Sequence, residues 1–144
     1  MSLSTRIVTT FAAVFTLTPA LAVHAQEVEL IARVPFEFTV GNTTLPGASY
    51  QLSRLGAHPE MLLVRSERKG VLIRTQEVQL ARRTTAPSLV FNRYGDQYFL
   101  REIRLDGSAR LDLPETAAER KAADGRTDRA STRMETVVIP VDRE

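Results

Sequence analysis

The chain has no cysteine and no tryptophan, and only two histidines among its 144 residues. Without cysteine there is no disulfide and no thiolate, so the core has to hold by packing alone. Lipid attachment through an N-terminal cysteine is excluded as well, because residue 26 is Gln. His24 lies in a leader-like segment, which leaves His58 as the only imidazole beyond it. Neither a catalytic triad nor a histidine-rich metal site can be assembled from that residue alone. Its setting, Gly56-Ala57-His58-Pro59, reads as a solvated turn. Charge of one sign is also missing. Residues 26–144 carry 18 Lys+Arg against 17 Asp+Glu, a formal +1. Nucleic-acid binders concentrate a basic excess, and this balance argues against that partner. The pI near 9.4 reflects a small surplus of arginine rather than a polybasic surface.

Long hydrophobic runs are scarce too, with one exception at the start. Arg6 precedes an apolar run from Ile7 to about Leu17, Pro19 breaks it, and Val23-His24-Ala25 has the small-x-small pattern of a cleavage site before Gln26. Residues 1–25 therefore read as a secretory signal peptide cut between Ala25 and Gln26. Four threonines, Thr9, Thr10, Thr16 and Thr18, dilute the run below what a membrane-spanning helix needs. No transmembrane segment is expected once the signal is removed. The remaining 119 residues make one domain. The expected state is soluble, in a bacterial periplasm or outside the cell.

What is present is strand-like. Leu30, Ala32, Val34, Phe36, Phe38 and Val40 share one parity, the period of a half-buried strand, and Pro35 places that strand at an edge or bends it. Gly41-Asn42 and Pro46-Gly47 are turn signals before a strand at Ser49–Leu55. Met61–Ser66 reads as a buried strand, and Lys69-Gly70 leads into Val71–Leu80. There the apolar parity changes between Ile73 and Val78, which a bulge near Thr75–Glu77 reconciles. Ala81–Pro87 reads as a polar connection. Leu89–Leu113 reads as a three-stranded meander. A type II′ turn at Gly95-Asp96 sets Phe91 opposite Leu100 and Arg93 opposite Tyr98. A type I′ turn at Asp106-Gly107 sets Arg101 opposite Asp112. Leu89, Phe91 and Leu100 then fall on one face of the meander, and Val90, Phe99 and Ile103 on the other.

Pro114 opens a helix over about 114–124, with Glu115 and Glu119 early, Arg120 and Lys121 late, and Gly125 after its end. A polar, mobile stretch at about 126–133 precedes a last strand at about 134–141. The sum is a mainly β domain: an antiparallel β-sandwich or partly open barrel of about seven or eight strands, with one C-terminal helix.

Three stretches together carry a resemblance. They are Val34-Pro35-Phe36-Glu37-Phe38-Thr39-Val40-Gly41 leading to Leu45-Pro46-Gly47-Ala48-Ser49-Tyr50, then Phe91-Asn92-Arg93-Tyr94-Gly95-Asp96-Gln97-Tyr98-Phe99-Leu100, and the helix from Pro114 through Glu119-Arg120. Over residues 30–124 the chain resembles a family of small exported proteins of acidobacterial soil bacteria. In that family a signal peptide precedes a VPF-F-V strand, an LPAGxY turn, an RYGDxYFL hairpin and a charged C-terminal helix. Here the glycine of the turn stands one place earlier, at Gly47. The resemblance implies export and a compact β-rich domain; it brings no activity and no site residues.

Chemistry is thinly represented. Glu37, Glu77, Asp96 and Glu102 are the acids available to a carboxylate-dependent polysaccharide hydrolase. Glu37 and Glu77 alternate with apolar neighbours and are expected to point outward, and Asp96 sits in a turn where Asp is favoured anyway. Asn42-Thr43-Thr44 matches a glycosylation acceptor, a pattern common by chance. The basic loops Arg65–Lys69 and Arg82-Arg83 read as solvated faces. The densest polar–aromatic cluster gives the candidate binding surface: Arg93, Tyr94, Asp96 and Tyr98 around a hairpin tip. The alternative for those residues is a hairpin held by cross-strand pairs. No catalytic residue, metal or cofactor is expected. The leading expectation is a non-catalytic protein with a binding or structural role in the cell envelope, its partner an envelope protein, a polysaccharide or a small ligand. A small-ligand carrier with an apolar cavity and the hydrolase are the alternatives.

Overall fold

A computed structural model describes residues 29–84, 86–105, 107–125 and 134–143. The expected signal segment, its Ala25/Gln26 junction and the stretch 126–133 lie outside the described residues. Among the described residues the order is β1 (Glu29–Val34), β2 (Phe38–Val40), β3 (Thr43–Leu45), β4 (Ala48–Leu55), β5 (His58–Arg65), β6 (Gly70–Arg74), β7 (Gln76–Thr84), β8 (Ser88–Tyr94), β9 (Gln97–Arg104), β10 (Gly107–Asp112), α1 (Ala117–Asp124), β11 (Glu135–Pro140) and β12 (Asp142–Arg143). One sheet runs β12-β1-β4-β5-β6 and the other β11-β8-β9-β10-β7, with the β2–β3 hairpin joined to β9. The fold is a mainly antiparallel β-sandwich with one helix near its C-terminal end. The β7-to-β10 segment has Greek-key order, since β8, β9 and β10 form a meander and β7 returns beside β10. Because β8 occupies one edge of β9, the other edge is shared between β10, opposite Glu102–Arg104, and β2, where Thr39 lies parallel to Phe99.

The period-two stripe of Leu30–Val40 is the scaffold of the core. Leu30, Ala32 and Val34 face inward from the first sheet, Phe38 and Val40 from the second, and all are buried. The stripe keeps its phase while the chain changes sheets across Pro35, Phe36 and Glu37. The bend expected at Pro35 is there, and it divides one apparent strand into two. The chain returns to the first sheet at Pro46-Gly47. A Cβ on Gly47 would stand 3.0 Å from the Pro35 carbonyl carbon and 3.1 Å from the Phe36 nitrogen, so any side chain there makes the corner backbone give by a few tenths of an ångström. Beside it the Tyr50 hydroxyl donates to the Pro46 carbonyl, the arrangement of a tyrosine corner.

Aromatic rings tie the layers together. Phe36 stacks on Tyr98 with centroids 3.9 Å apart and meets Phe91 edge-on at 5.2 Å. Phe38 meets Phe91 at 5.3 Å and Tyr50 at 5.2 Å, again edge-on. Leu52, Leu62, Val64 and Ile73 complete the first sheet's inner face, and Leu45, Leu89, Leu100, Ile103 and Leu111 the second's.

Several sequence expectations change for physical reasons. Val71–Leu80 is two strands in different sheets, not one bulged strand. The chain turns the corner at Thr75, whose amide donates to the Glu60 carbonyl at 2.7 Å. The polar residues after Leu80 continue β7 as far as Thr84 along the sheet edge, where a strand need not be apolar. His58 and Pro59 belong to β5 rather than to the turn. The Gly95-Asp96 hairpin keeps the expected register, with Gly95 at φ 63°. Arg101, however, is an extra residue: Phe91 faces Leu100 while Val90 faces Glu102. This bulge turns Ile103 inward beside Leu89, so Ile103 is core and not part of a second apolar face.

The β9–β10 register differs by one from a two-residue turn. Gly107 has φ 92°, the Leu105 amide donates to the Ala109 carbonyl at 3.0 Å, and Asp112 lies opposite Glu102 instead of Arg101. Asp106 itself lies outside the described residues. The helix starts at Ala117, not at Pro114, because Leu113 still donates to the Arg101 carbonyl and is buried in the core. Thr116 caps it, accepting from the Glu119 amide at 3.1 Å. The last strand is likewise divided at Val141, β11 in the second sheet and β12 in the first.

Two outcomes follow for stability. Gly47→Ala forces the corner apart and is expected to lower unfolding free energy by about 1–3 kcal/mol in urea titration. Burial pushes the Tyr50 phenol above its ordinary value of 10.0. The unfolded chain therefore loses that proton first, so this contribution is intact below about pH 10 and fades above it. Tyr50→Phe is expected to flatten that alkaline decline, and to cost about 1 kcal/mol at neutral pH from the lost hydrogen bond, read by denaturation at both pH values.

Candidate functional site

The residues of the hairpin cluster separate when the strands are paired. Arg93 and Tyr98 face each other across β8 and β9, on the side that carries Phe91. The Arg93 guanidinium lies 5.3 Å from the Tyr98 ring centroid, donates from Nε to the Gly95 carbonyl at 2.7 Å and reaches Glu135 on β11 at 3.2 Å. Tyr98 is backed by Phe36. Tyr94 is on the opposite side, buried, edge-on to Phe99 at 5.8 Å. Asp96 is exposed at the tip. The four residues thus occupy two faces and an end, and their interactions are the cross-strand pairs of a stabilised hairpin.

The face that holds Tyr94 carries a polar assembly that the sequence did not announce. Helix α1 lies against it and lowers Glu119 onto the sheet, where that residue is only 2% exposed. Glu119 Oε1 accepts from Asn92 Nδ2 at 2.9 Å and from the Tyr94 hydroxyl at 3.4 Å. Its Oε2 lies 3.5 Å from Arg101 Nη1. The bulge is what delivers Arg101 to this carboxylate. Phe99, the apolar residue expected to need cover on this face, is buried and joins Ala118 and Ala122 in walling a cleft beneath the helix.

Next to the helix the same face forms a groove of about 380 Å³, lined by Val90, Asn92, Arg101, Glu102, Arg104, Arg110, Asp112 and Thr136. Even-numbered residues of β8 and β10 and, past the bulge, of β9 point here. The one-residue shift of β10 brings Glu102 and Asp112 opposite each other. Like charges so placed repel, and arginines offset this. Arg104 Nε donates to Glu102 at 2.7 Å, and Arg110 lies 3.7 Å from Glu102 and 2.9 Å from Asp112. Arg101 Nη1 and Arg110 Nε are buried against carboxylates, 3.5 Å from Glu119 and 2.9 Å from Asp112.

The acids weighed for hydrolysis have other positions. Glu37 and Asp96 are exposed, and Glu102 is paired in the groove. Glu77 is exposed, as expected, but on the edge strand β7. It lies opposite Leu111 at the sandwich margin and joins Arg54 of the other sheet at 2.7 Å. At such an edge an acid can reach a partner from the facing layer. His58 is exposed, 3.6 Å from Glu60. No group of three or more metal-ligating side chains occurs among the described residues. No described helix is long and apolar enough to cross a membrane.

No protein-family model matches this chain, and no curated protein or solved structure matches it. The groove therefore has to be read from its own geometry. Glu119→Ala leaves Arg101, Asn92 and Tyr94 facing an empty buried site. It is expected to cost about 2–4 kcal/mol in thermal or chemical denaturation, with Glu119→Gln costing less because its amide oxygen still accepts.

Proposed function

We propose that the protein is an exported, non-catalytic binding module of the bacterial cell envelope, and that its partner docks on the outer face of β8, β9 and β10. The observation that carries this reading is the groove, an open concavity of about 380 Å³ on a sheet face where arginines and acids hold one another in fixed positions. Export rests on the charged, apolar and small-residue pattern of residues 1–25. The packed rings between the sheets favour an external site over a ligand held in the interior. With Arg104 and Arg110 on the acids of the groove, neither acid is free to serve a leaving group, which favours binding over hydrolysis.

The full chain expressed with a C-terminal tag in a Gram-negative host tests both halves. Mass spectrometry of the periplasmic fraction is expected to show a mature form beginning at Gln26. Size exclusion of that form with host envelope extract is expected to show a co-eluting component that Arg110→Ala releases. Cytoplasmic retention with Met1 intact would overturn export. A bare monomer in the presence of extract would overturn the binding role.

A further inference from the structure

The edges of the two sheets are guarded unequally. Five strands have an edge with no strand neighbour among the described residues: β3, β6, β7, β11 and β12. Such edges invite pairing with another chain, and proteins discourage it with short strands, prolines, charges and bulges. β12 is two residues long, and β11 ends at Pro140 and presents Glu135, paired with Arg93. β7 carries Gln76, Glu77, Gln79 and Arg82. On β3 the Lys69 ammonium donates to the Thr44 carbonyl at 3.2 Å. β6 is the least guarded. Its sequence Gly-Val-Leu-Ile-Arg pairs with β5 in unbroken register, its one charge stands at the end, and Leu72 at its centre is 50% exposed.

The β6 sequence is also complementary to itself. Val71 and Ile73 pack against the core, while Gly70, Leu72 and Arg74 face outward. An antiparallel second copy, related by a two-fold axis at Leu72, sets Leu72 against itself, Val71 against Ile73 and Gly70 against Arg74. Both faces then continue without a break. On the outside Leu63, opposite Leu72, begins a row of four leucines. On the inside the Leu62–Ile73 row joins the Val71–Val64 row of the other copy, and half-buried Val71 gains cover. Each Arg74 meets a glycine, so no like charges stand directly opposite each other. An unrelated strand would have to supply apolar side chains on both faces in this register, whereas a second copy does so by symmetry. The contact consumes both edges, so assembly stops at two chains. We propose that the protein forms a symmetric dimer through β6, which joins the two first sheets into one. This goes beyond the binding role, since the groove lies on the second sheet.

The absence of cysteine makes the register directly testable. Leu72→Cys places two thiols across the axis at roughly the 4.5–5.5 Å Cα separation of an antiparallel pair, within disulfide reach. Arg74→Cys places them four residues apart along the strand, about 14 Å, which no disulfide spans. With diamide as oxidant, the exported full chain is expected to cross-link at Leu72→Cys and not at Arg74→Cys or at Val138→Cys on β11. Sedimentation of the unaltered chain over a dilution series is expected to show a monomer–dimer equilibrium. Leu72→Lys, at a site already open to solvent, is expected to raise the dimer Kd about tenfold or more while leaving the thermal midpoint of the dilute monomer unchanged. A monomer at every concentration, cross-linking as efficient at Arg74→Cys or Val138→Cys, or a dimer indifferent to Leu72→Lys would overturn the proposal.

Discussion

Five aromatic rings, Tyr98, Phe36, Phe91, Phe38 and Tyr50, run as a connected row through this sandwich, and each contact joins parts of the chain that the topology holds far apart. Tyr50 belongs to one sheet, Phe38, Phe91 and Tyr98 to the other, and Phe36 stands at the crossing between them. Aromatic pairs contribute about 0.5–1.5 kcal/mol each beyond the area they bury. In a domain without disulfides such a row has structural weight. It also sets a condition on the backbone. Phe36 can stand between Tyr98 and Phe91 only because the chain changes sheets at that residue, and the change packs closely because Gly47 has no Cβ.

The polar face depends on the same frame at one remove. The bulge at Arg101 turns Ile103 into the core and sends the arginine toward Glu119. Glu119 in turn fixes α1 against Asn92 and Tyr94, at the end of the hairpin whose other side rests on Phe36. The groove and the aromatic row are thus opposite faces of the β8–β9 hairpin. Rigidity on the inner face makes it reasonable for the outer one to hold side chains in fixed positions, as recognition requires.

Much of the framework was legible. The Leu30–Val40 stripe, the Pro35 bend, the Gly95-Asp96 register and the two-sheet class all follow from local signals. The change of sheet at Thr75 was less so, because a corner and a bulge both appear in sequence as a break in parity; the one at Val141 leaves no such mark, since Val137, Ile139 and Val141 keep a single parity. The bulge at Arg101 was hidden for the opposite reason. Phe99, Leu100 and Ile103 are all apolar, so alternation alone does not say which of them faces inward. Glu119 was read as a helix-dipole residue, since its burial depends on Asn92, Tyr94 and Arg101, which are close only after folding. The groove was illegible for the same reason. Its arginines and acids look like ordinary surface charge until the β9–β10 register is known. The hairpin residues Arg93, Tyr94, Asp96 and Tyr98 were conspicuous by composition, but strand alternation distributes them over different faces.

The pairing of β1 with β12 has a consequence for how the domain is made. β1 pairs with nearby β4 on one side, but on its other side Leu30 lies opposite Arg143, more than a hundred residues away in sequence. Contacts of such long sequence separation form late and slowly. A chain emerging from its N-terminus, whether from a ribosome or through a translocation pore, exposes the outer edge of β1 until Asp142 and Arg143 are free. During that interval the strand is open to pairing with other chains. The closing step is therefore short in residues: Asp142 and Arg143 alone decide whether Leu30 and Ile31 at this edge are capped.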